Sequence, residues 1–192
     1  MVRFTRLIAN SLTVALVVAL PAGAMSQTAD QMTAEQITEA FKKQKTRGLV
    51  IVPSSQQASS DTAAATTVAP TTPAAYNAVD QADQVNVQIK FDFDSATLRD
   101  DQKEKLATLC QVMQDVDVSV FQIIGHTDSS GSAEYNQRLS LLRAEEVKRH
   151  MVSDCGIDAN RLEAVGLGES APFDATDPRA DVNRRVEFQA LG

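Results

Sequence analysis

The sequence predicts an α/β (α+β) two-layer sandwich, a mixed sheet of about four strands with helices on one face. Apolar and polar residues alternate over residues 85–93, which is typical of a strand with one buried face. Residues 118–124 are apolar on both faces, as in a central strand. The third observation is an apolar stripe at helical spacing, formed by Tyr135, Leu139, Leu142, Val147 and Met151. Helices that alternate with strands imply βαβ connections and hence partly parallel pairing.

The remaining elements of this sandwich follow from local signals. Residues 98–115 carry apolar side chains at helical spacing, and Gly156 ends the long helix that begins near residue 134. Residues 161–165 and 185–188 are two further short strands. We therefore expect one domain over residues 85–192, a normal size for a single hydrophobic core.

The first 24 residues have the pattern of an export signal. Arg3 and Arg6 are followed by an apolar run over residues 7–20 and by small residues at 21–24. A membrane-spanning helix needs roughly 20 mostly apolar residues, so this run is too short and too polar to be an anchor. No cysteine lies near the cleavage zone, so we expect no lipid anchor. Residues 1–24 are predicted to be a signal peptide of an exported, soluble protein.

Two segments separate the signal from the domain. Residues 25–52 form a short N-terminal helical segment, because Thr33 and Gln36 have the spacing of a capping box. This segment is too small to bury a core alone, and it is either a docking element or nascent structure. Residues 53–84 consist mainly of Ala, Thr, Ser, Gln and Pro, and with so few large apolar groups they are predicted to be a flexible linker.

The charge of the chain excludes one class of partner. Removal of residues 1–24 removes two of the 18 basic side chains and none of the 25 acidic ones, so the net charge falls from −7 to −9. Affinity for nucleic acid rests mainly on Lys and Arg contacts to phosphate. We therefore expect no nucleic-acid partner, and any ligand must be held by local complementarity.

The two cysteines lie on or near the predicted helices. Cys110 belongs to the apolar face of the helix at residues 98–115, and Cys155 follows the second helix. In an exported chain a Cys110–Cys155 disulfide would stabilise the fold by about 4 kcal/mol in the chain-entropy model. Two buried free thiols are the alternative, and the sequence leaves both open.

A charged pair marks the candidate binding site. Asp128 lies in a glycine-flanked loop, and Arg143 follows on the next helix with Asn136 on the same face. Helical side chains tilt toward the helix N-terminus, so Arg143 points back toward that loop. An acid and a base held in this way can bind a zwitterion, with an ammonium on Asp128 and a carboxylate on Arg143. The alternative is that Asp128 and Arg143 simply pair with each other.

Four motifs occur in order at residues 91–98, 125–128, 135–144 and 183–188. Together they strongly resemble the OmpA-like C-terminal domain, which also occurs in peptidoglycan-associated lipoprotein and in flagellar motor protein B. The resemblance covers essentially all of residues 85–192. It implies noncovalent binding of peptidoglycan through the meso-diaminopimelate of the stem peptide. It also implies a location in the periplasm of a Gram-negative bacterium, in association with the cell wall or outer membrane.

The resemblance also implies roles for individual residues. The positions that match the family's recognition aspartate and arginine are Asp128 and Arg143. By motif position, the pocket would be completed by Asp94, Thr127, Asn136 and Arg184.

Three alternatives to this interpretation are a hydrolase, a scaffold and a metal site. A peptidoglycan hydrolase would need paired carboxylates or zinc, and neither constellation stands out. A scaffold could recruit an envelope or outer-membrane protein through residues 25–52. His126 and Asp128 could be metal ligands, but His150 is the only other histidine, and a metal site usually needs three or four protein ligands. We therefore expect a binding module, no enzyme, with no metal and no other cofactor.

Overall fold

The computed structural model describes residues 31–47, 76–92 and 94–192. The predicted signal peptide at residues 1–24 and the first part of the predicted linker, residues 53–75, lie outside the described residues. In chain order the α-helices and strands are α1 (Ala34–Arg47), β1 (Val85–Val87), α2 (Asp100–Lys103), α3 (Ala107–Asp115), β2 (Val120–His126), α4 (Ala133–Ser153), β3 (Leu162–Gly168) and β4 (Val186–Leu191). Within these ranges no helix is long and apolar enough to cross a membrane.

The strands form one mixed sheet in the order β1-β4-β2-β3. β2 and β3 are parallel and are connected through α4, whereas β4 is antiparallel to both β1 and β2. Phe121, near the start of β2, lies between Leu162 of β3 and Ala190 of β4. The prediction of a mixed four-stranded sheet is confirmed.

The helices pack on one face of this sheet. Gly125 and Gly166 allow α4 to approach β2 and β3, because a Cβ at Gly125 would clash with the Ser140 carbonyl and one at Gly166 would lie 2.5 Å from the Leu141 nitrogen. Phe121 is on the same face as Gly125, since side chains two residues apart in a strand share a face. The ring of Phe41 from α1 packs against Phe121 there. α1 and α4 therefore cover the same side, and the predicted two-layer α/β sandwich is confirmed.

The first predicted strand is shorter than its sequence pattern suggested. Residues 85–93 alternate, but β1 ends at Val87, where its pairing with β4 ends. Beyond that point Lys90 donates its backbone N–H to the side chain of Gln102 at 3.0 Å, so the chain turns toward α2 instead of continuing along the sheet. The predicted helix 98–115 is likewise divided into α2, a 3₁₀ turn and α3.

Helix α1 is part of the core and does not project from it. The predicted capping box is present: the Gln36 side chain accepts from the Thr33 N–H at 2.8 Å, and the Thr33 hydroxyl accepts from the Gln36 N–H at 3.3 Å. Phe41 is fully buried, and its ring centroid lies 5.1 Å from that of Phe121. Gln44 accepts a 2.8 Å hydrogen bond from the Ala190 N–H of β4. The apolar face of this helix is therefore covered by the domain itself.

The end of the predicted linker also contacts the sheet. Within residues 76–84 the Tyr76 hydroxyl donates to Glu187 at 3.5 Å, and Gln189 donates to the Asn77 carbonyl at 3.0 Å. Glu187 and Gln189 are buried residues of β4. These polar contacts extend the folded part of the chain to Tyr76, because hydrogen bonds anchor a segment that has few apolar groups.

Cys110 of α3 and Cys155, just after α4, are joined by a disulfide with Cα atoms 5.6 Å apart. This bond ties the middle of α3 to the C-terminal end of α4. It closes a loop with a sequence separation of 45 residues.

Candidate functional site

The candidate site is built around the loop between β2 and α4. The Thr127 N–H donates to the Gly168 carbonyl at 2.9 Å, and the Ser129 N–H donates to the Pro178 carbonyl at 3.0 Å. Ser132 is the N-cap of α4 and accepts from the Tyr135 N–H at 3.2 Å. The loop is therefore held on both sides by backbone hydrogen bonds, which fix the side chain between them.

That side chain is Asp128, which is largely buried. One carboxylate oxygen accepts from the Ser130 N–H at 2.9 Å, and the other lies 2.5 Å from a guanidinium nitrogen of Arg184. Burial would raise the pKa of Asp128, but the hydrogen bonds from Arg184 and Ser130 outweigh it and hold this pKa below its ordinary value. The carboxylate is therefore ionised at neutral pH.

Arg184 bridges two carboxylates, because its second terminal nitrogen contacts Asp181. The hydrogen bond to Asp128 is the main reason that the pKa of Arg184 is raised above its ordinary value. Its neighbour Arg185 is turned to the other side of β4, where it is buried and donates to Asn86 at 3.2 Å. Only the first arginine of this pair contacts Asp128.

Arg143 is placed near Asp128 without touching it. Its Nε donates to the Ser95 carbonyl at 3.1 Å, and its guanidinium carbon lies 4.7 Å from the centre of the Phe91 ring. Burial is the main reason that the pKa of Arg143 is lowered. The nearby charge of Asp128 acts to raise this pKa, and that of Arg184 acts to lower it. Direct pairing of Asp128 with Arg143, the alternative left open by the sequence, is not what the structure shows. The partner of Asp128 is Arg184.

The other predicted site residues surround this group of charges. Asn136 is buried, and its amide donates to the Asp128 carbonyl at 3.3 Å and to Glu169 at 2.6 Å. Thr127 is buried beside Asp128, and its hydroxyl has no hydrogen-bond partner within the described part of the chain. Asp94 is exposed, with a φ of 53°, and accepts from the Tyr135 hydroxyl at 2.5 Å.

A narrow cleft lies between Arg143 and Arg184. Its lining includes Phe91, Gly125, Arg143 and Arg184. A carboxylate in this cleft can meet two guanidinium groups, which bind carboxylates through charge-assisted and often bidentate hydrogen bonds. The Asp128 carboxylate beside them can accept from an ammonium. The arrangement therefore suits a ligand that carries an ammonium and a carboxylate close to each other.

Sequence reasoning did not identify two supporting residues. Glu169, just after β3, accepts from Asn136, and Tyr135 holds Asp94 against the start of α4. The helical spacing places Tyr135 in the apolar core stripe, and the sequence gives no sign that its hydroxyl has a partner far away in the chain. Glu169 follows a Gly-x-Gly pattern, which shows where β3 ends but gives no indication of what the carboxylate contacts.

His126 lies against a carboxylate of β4. It is buried, with Nε2 3.2 Å from an oxygen of Glu187. Burial is the main reason that its pKa is lowered, and the contact with Glu187 only partly offsets this effect. The imidazole is therefore neutral at pH 7 and packs on the side of the sheet where Tyr76 lies, its ring 6.4 Å from the Tyr76 ring.

Comparison with known proteins relates this architecture to a family. The model of the OmpA family matches residues 90–185. Outer membrane porin F of Pseudomonas fluorescens is 40% identical over 111 residues, which are 57% of this chain and 34% of that protein. Outer membrane protein A of Bordetella avium is 37% identical over 110 residues, 56% of each chain. This chain thus spans less than two thirds of the length of these curated relatives.

Two solved structures are also similar to this chain. The peptidoglycan-associated lipoprotein from Burkholderia pseudomallei is 32% identical, with 53% of this chain and 86% of that chain covered and a TM-score of 0.44. The OmpA-like domain of FopA1 from Francisella tularensis is 26% identical, with 57% and 75% covered and a TM-score of 0.48. Because the family match extends over half of its length, this chain belongs to the OmpA family.

Proposed function

We propose that residues 85–192 bind peptidoglycan noncovalently through the meso-diaminopimelate of the stem peptide, and thereby anchor the protein to the cell wall. The observation that carries the proposal is the ionised Asp128 paired with Arg184, which lines one cleft together with Arg143. Membership in the OmpA family supports it, because the four motifs resemble the peptidoglycan-binding form of that domain.

The free end of meso-diaminopimelate carries an ammonium and a carboxylate on one carbon. In the proposed complex the ammonium donates to Asp128 and the carboxylate accepts from Arg143. The Nε of Arg143 is occupied by Ser95, and no hydrogen bond from its terminal nitrogens is found among the described residues. Those nitrogens would bind the carboxylate, and each charge-assisted bond would contribute about 1.5–3 kcal/mol.

The same geometry gives a selectivity. Lysine-type peptidoglycan offers the ammonium but lacks the carboxylate on that carbon, so it could satisfy Asp128 but not Arg143. We therefore expect diaminopimelate-type walls to bind more tightly than lysine-type walls. Arg143→Ala should abolish this difference, because the variant has no group that distinguishes the two ligands.

We place the protein in the periplasm of a Gram-negative bacterium, next to the cell wall and outer membrane. The relatives named above are outer membrane proteins, and the predicted signal at residues 1–24 supports export. We infer a binding role without catalysis, because Asp128 is paired with Arg184 and, among the described residues of the site, no nucleophile is paired with a base. Residues 25–52 remain a candidate region for an envelope partner, although α1 offers such a partner only its solvent-exposed side.

Co-sedimentation with purified sacculi tests the proposal. The protein without residues 1–24 would be mixed with diaminopimelate-type and, separately, lysine-type sacculi, beside the variants Asp128→Asn and Arg143→Ala. Arg138→Ala is a matched control, since Arg138 is an exposed arginine on the same helix. Circular dichroism would show that each variant is folded.

We expect the wild type and the control to bind diaminopimelate-type walls. Both site variants should lose this binding. Equal sedimentation of all four proteins would contradict the proposal. Soluble fragments released from the sacculi would favour a hydrolase instead.

A further inference from the structure

The disulfide between α3 and the end of α4 lies within a cluster of metal-binding atoms. The sulfurs of Cys110 and Cys155 and a nitrogen of His150 are all within 4.8 Å of one another. Met151 adds a thioether, whose sulfur is 3.7 Å from that of Cys110. The cluster shares no residue with the proposed peptidoglycan site, and its chemistry is that of soft ligands.

The histidine in this cluster is already oriented as a ligand. Its Nδ1 is 2.7 Å from a carboxylate oxygen of Asp154, and its Nε2 faces the Cys155 sulfur at 3.9 Å. A carboxylate on the far nitrogen of a histidine ring is the usual outer contact of a metal-bound imidazole. The His150 side chain is 9% exposed, so little water needs to leave when an ion binds.

We propose that reduction of the Cys110–Cys155 disulfide creates a binding site for one thiophilic d¹⁰ metal ion, Zn²⁺ or Cu⁺, with the two thiolates and His150 Nε2 as ligands. Zn–S and Zn–N bonds of about 2.3 and 2.0 Å in a tetrahedral site put sulfur and nitrogen ligands about 3.5 Å apart, close to the distance found between Cys155 and His150. Once the S–S bond is broken, the two sulfurs need to separate to about 3.8 Å.

Reduction of the disulfide and binding of the ion are two separate steps. A dithiol reductant donates two electrons and two protons, its own sulfurs become a disulfide, and Cys110 and Cys155 become thiols. The ion then displaces one proton from each thiol, so binding releases two protons into solution. The ion replaces the covalent tie between α3 and α4 with a coordinate one, and the helices stay joined in both redox states.

The two ions differ in one contact. Thioether sulfur is a ligand for Cu⁺ and is not among the usual ligands of Zn²⁺. Substitution of Met151 by leucine should therefore weaken the binding of Cu⁺ and leave that of Zn²⁺ unchanged.

The experiment uses the full mature chain reduced with a phosphine, which takes up oxygen from water. The phosphine is removed by gel filtration without air before the ion is added, because phosphines themselves bind Cu⁺. Native mass spectrometry and competition with a chromophoric chelator would measure stoichiometry and affinity for Zn²⁺ and for Cu⁺. The oxidised protein is the reference. His150→Ala, Asp154→Ala and the double variant Cys110→Ser/Cys155→Ser are compared with Arg149→Ala, a control on the exposed side of α4.

One ion per reduced chain, no ion in the oxidised chain and none in the double variant are expected. Asp154→Ala should weaken binding about 10–100-fold, and His150→Ala more than that. The ion should also raise the midpoint of thermal unfolding of the reduced wild type but not of His150→Ala.

Three results would overturn the proposal. They are the absence of binding to the reduced wild type, equal binding to the oxidised protein, and wild-type affinity in His150→Ala. A reduced chain that is unfolded and does not refold on addition of either ion counts as absence of binding.

Discussion

The integration of α1 into the domain predicts a large effect from one substitution, Phe41→Ala. Phe41 has no solvent exposure, and its ring packs edge-on against Phe121 of the central strand at 5.1 Å. Replacement of a buried phenylalanine by alanine costs about 3–5 kcal/mol, from lost burial and the cavity that remains. The edge-to-face contact accounts for about 0.5–1.5 kcal/mol beyond area. We expect the free energy of unfolding of the mature protein to fall by about 3–5 kcal/mol.

Equilibrium unfolding in urea, followed by circular dichroism, would measure this change. Leu142→Ala is the control, because Leu142 on α4 is 46% exposed and should change the free energy of unfolding by less than about 1 kcal/mol. If Phe41→Ala costs no more than Leu142→Ala, α1 does not contribute to the core in solution. Residues 25–52 would then be available for a partner, as the scaffold alternative requires.

Three further predictions concern the sheet, the disulfide and the site. Gly125→Ala should destabilise the domain by about 1–3 kcal/mol or more in thermal unfolding, because its Cβ would overlap the Ser140 carbonyl; a neutral result would contradict the close approach of α4. Reduction of the Cys110–Cys155 disulfide without added metal should cost about 4 kcal/mol for its loop, measured in urea, and an unchanged midpoint would refute the estimate. Sacculus binding should persist from neutral pH down through the ordinary pKa of an aspartate and fall only at lower pH, since the depressed pKa of Asp128 keeps the carboxylate ionised until the pH falls through that pKa; binding that survives complete protonation would exclude the proposed role of Asp128.

The fold was accessible from the sequence where the patterns were long and regular. The central strand β2 and the helix α4 were predicted because each keeps one period over many residues. The end of β1 was wrong, because alternation reports which side chains are buried and does not report where backbone pairing stops. The packing of α1 was inaccessible for a related reason: Gln44 and Ala190, which join it to the sheet, are 146 residues apart.

For the candidate site, too, the sequence allowed predictions about local geometry but not about tertiary contacts. Helix geometry predicts that Arg143 points toward the loop, since side chains on a helix tilt toward its N-terminus; in the structure its guanidinium contacts Ser95 and Phe91. The partner of Asp128 could not be read from local sequence, because Arg184 is 56 residues away in the chain, just before β4. Only motif position suggested Arg184, and spacing alone left open a contact between Asp128 and Arg143 that is not formed.

The pairing of Asp128 with Arg184 in turn explains how a largely buried carboxylate is tolerated at this position. A largely buried carboxylate without a partner is costly, and Arg184 removes that cost before any ligand arrives. A carboxylate has about four acceptor positions, so an ammonium can add to Asp128 without displacing Arg184 or the Ser130 N–H. Arg143 is likewise held by Ser95 and Phe91. A ligand would thus meet charges that are already in position, and little of its binding energy would be needed to arrange them.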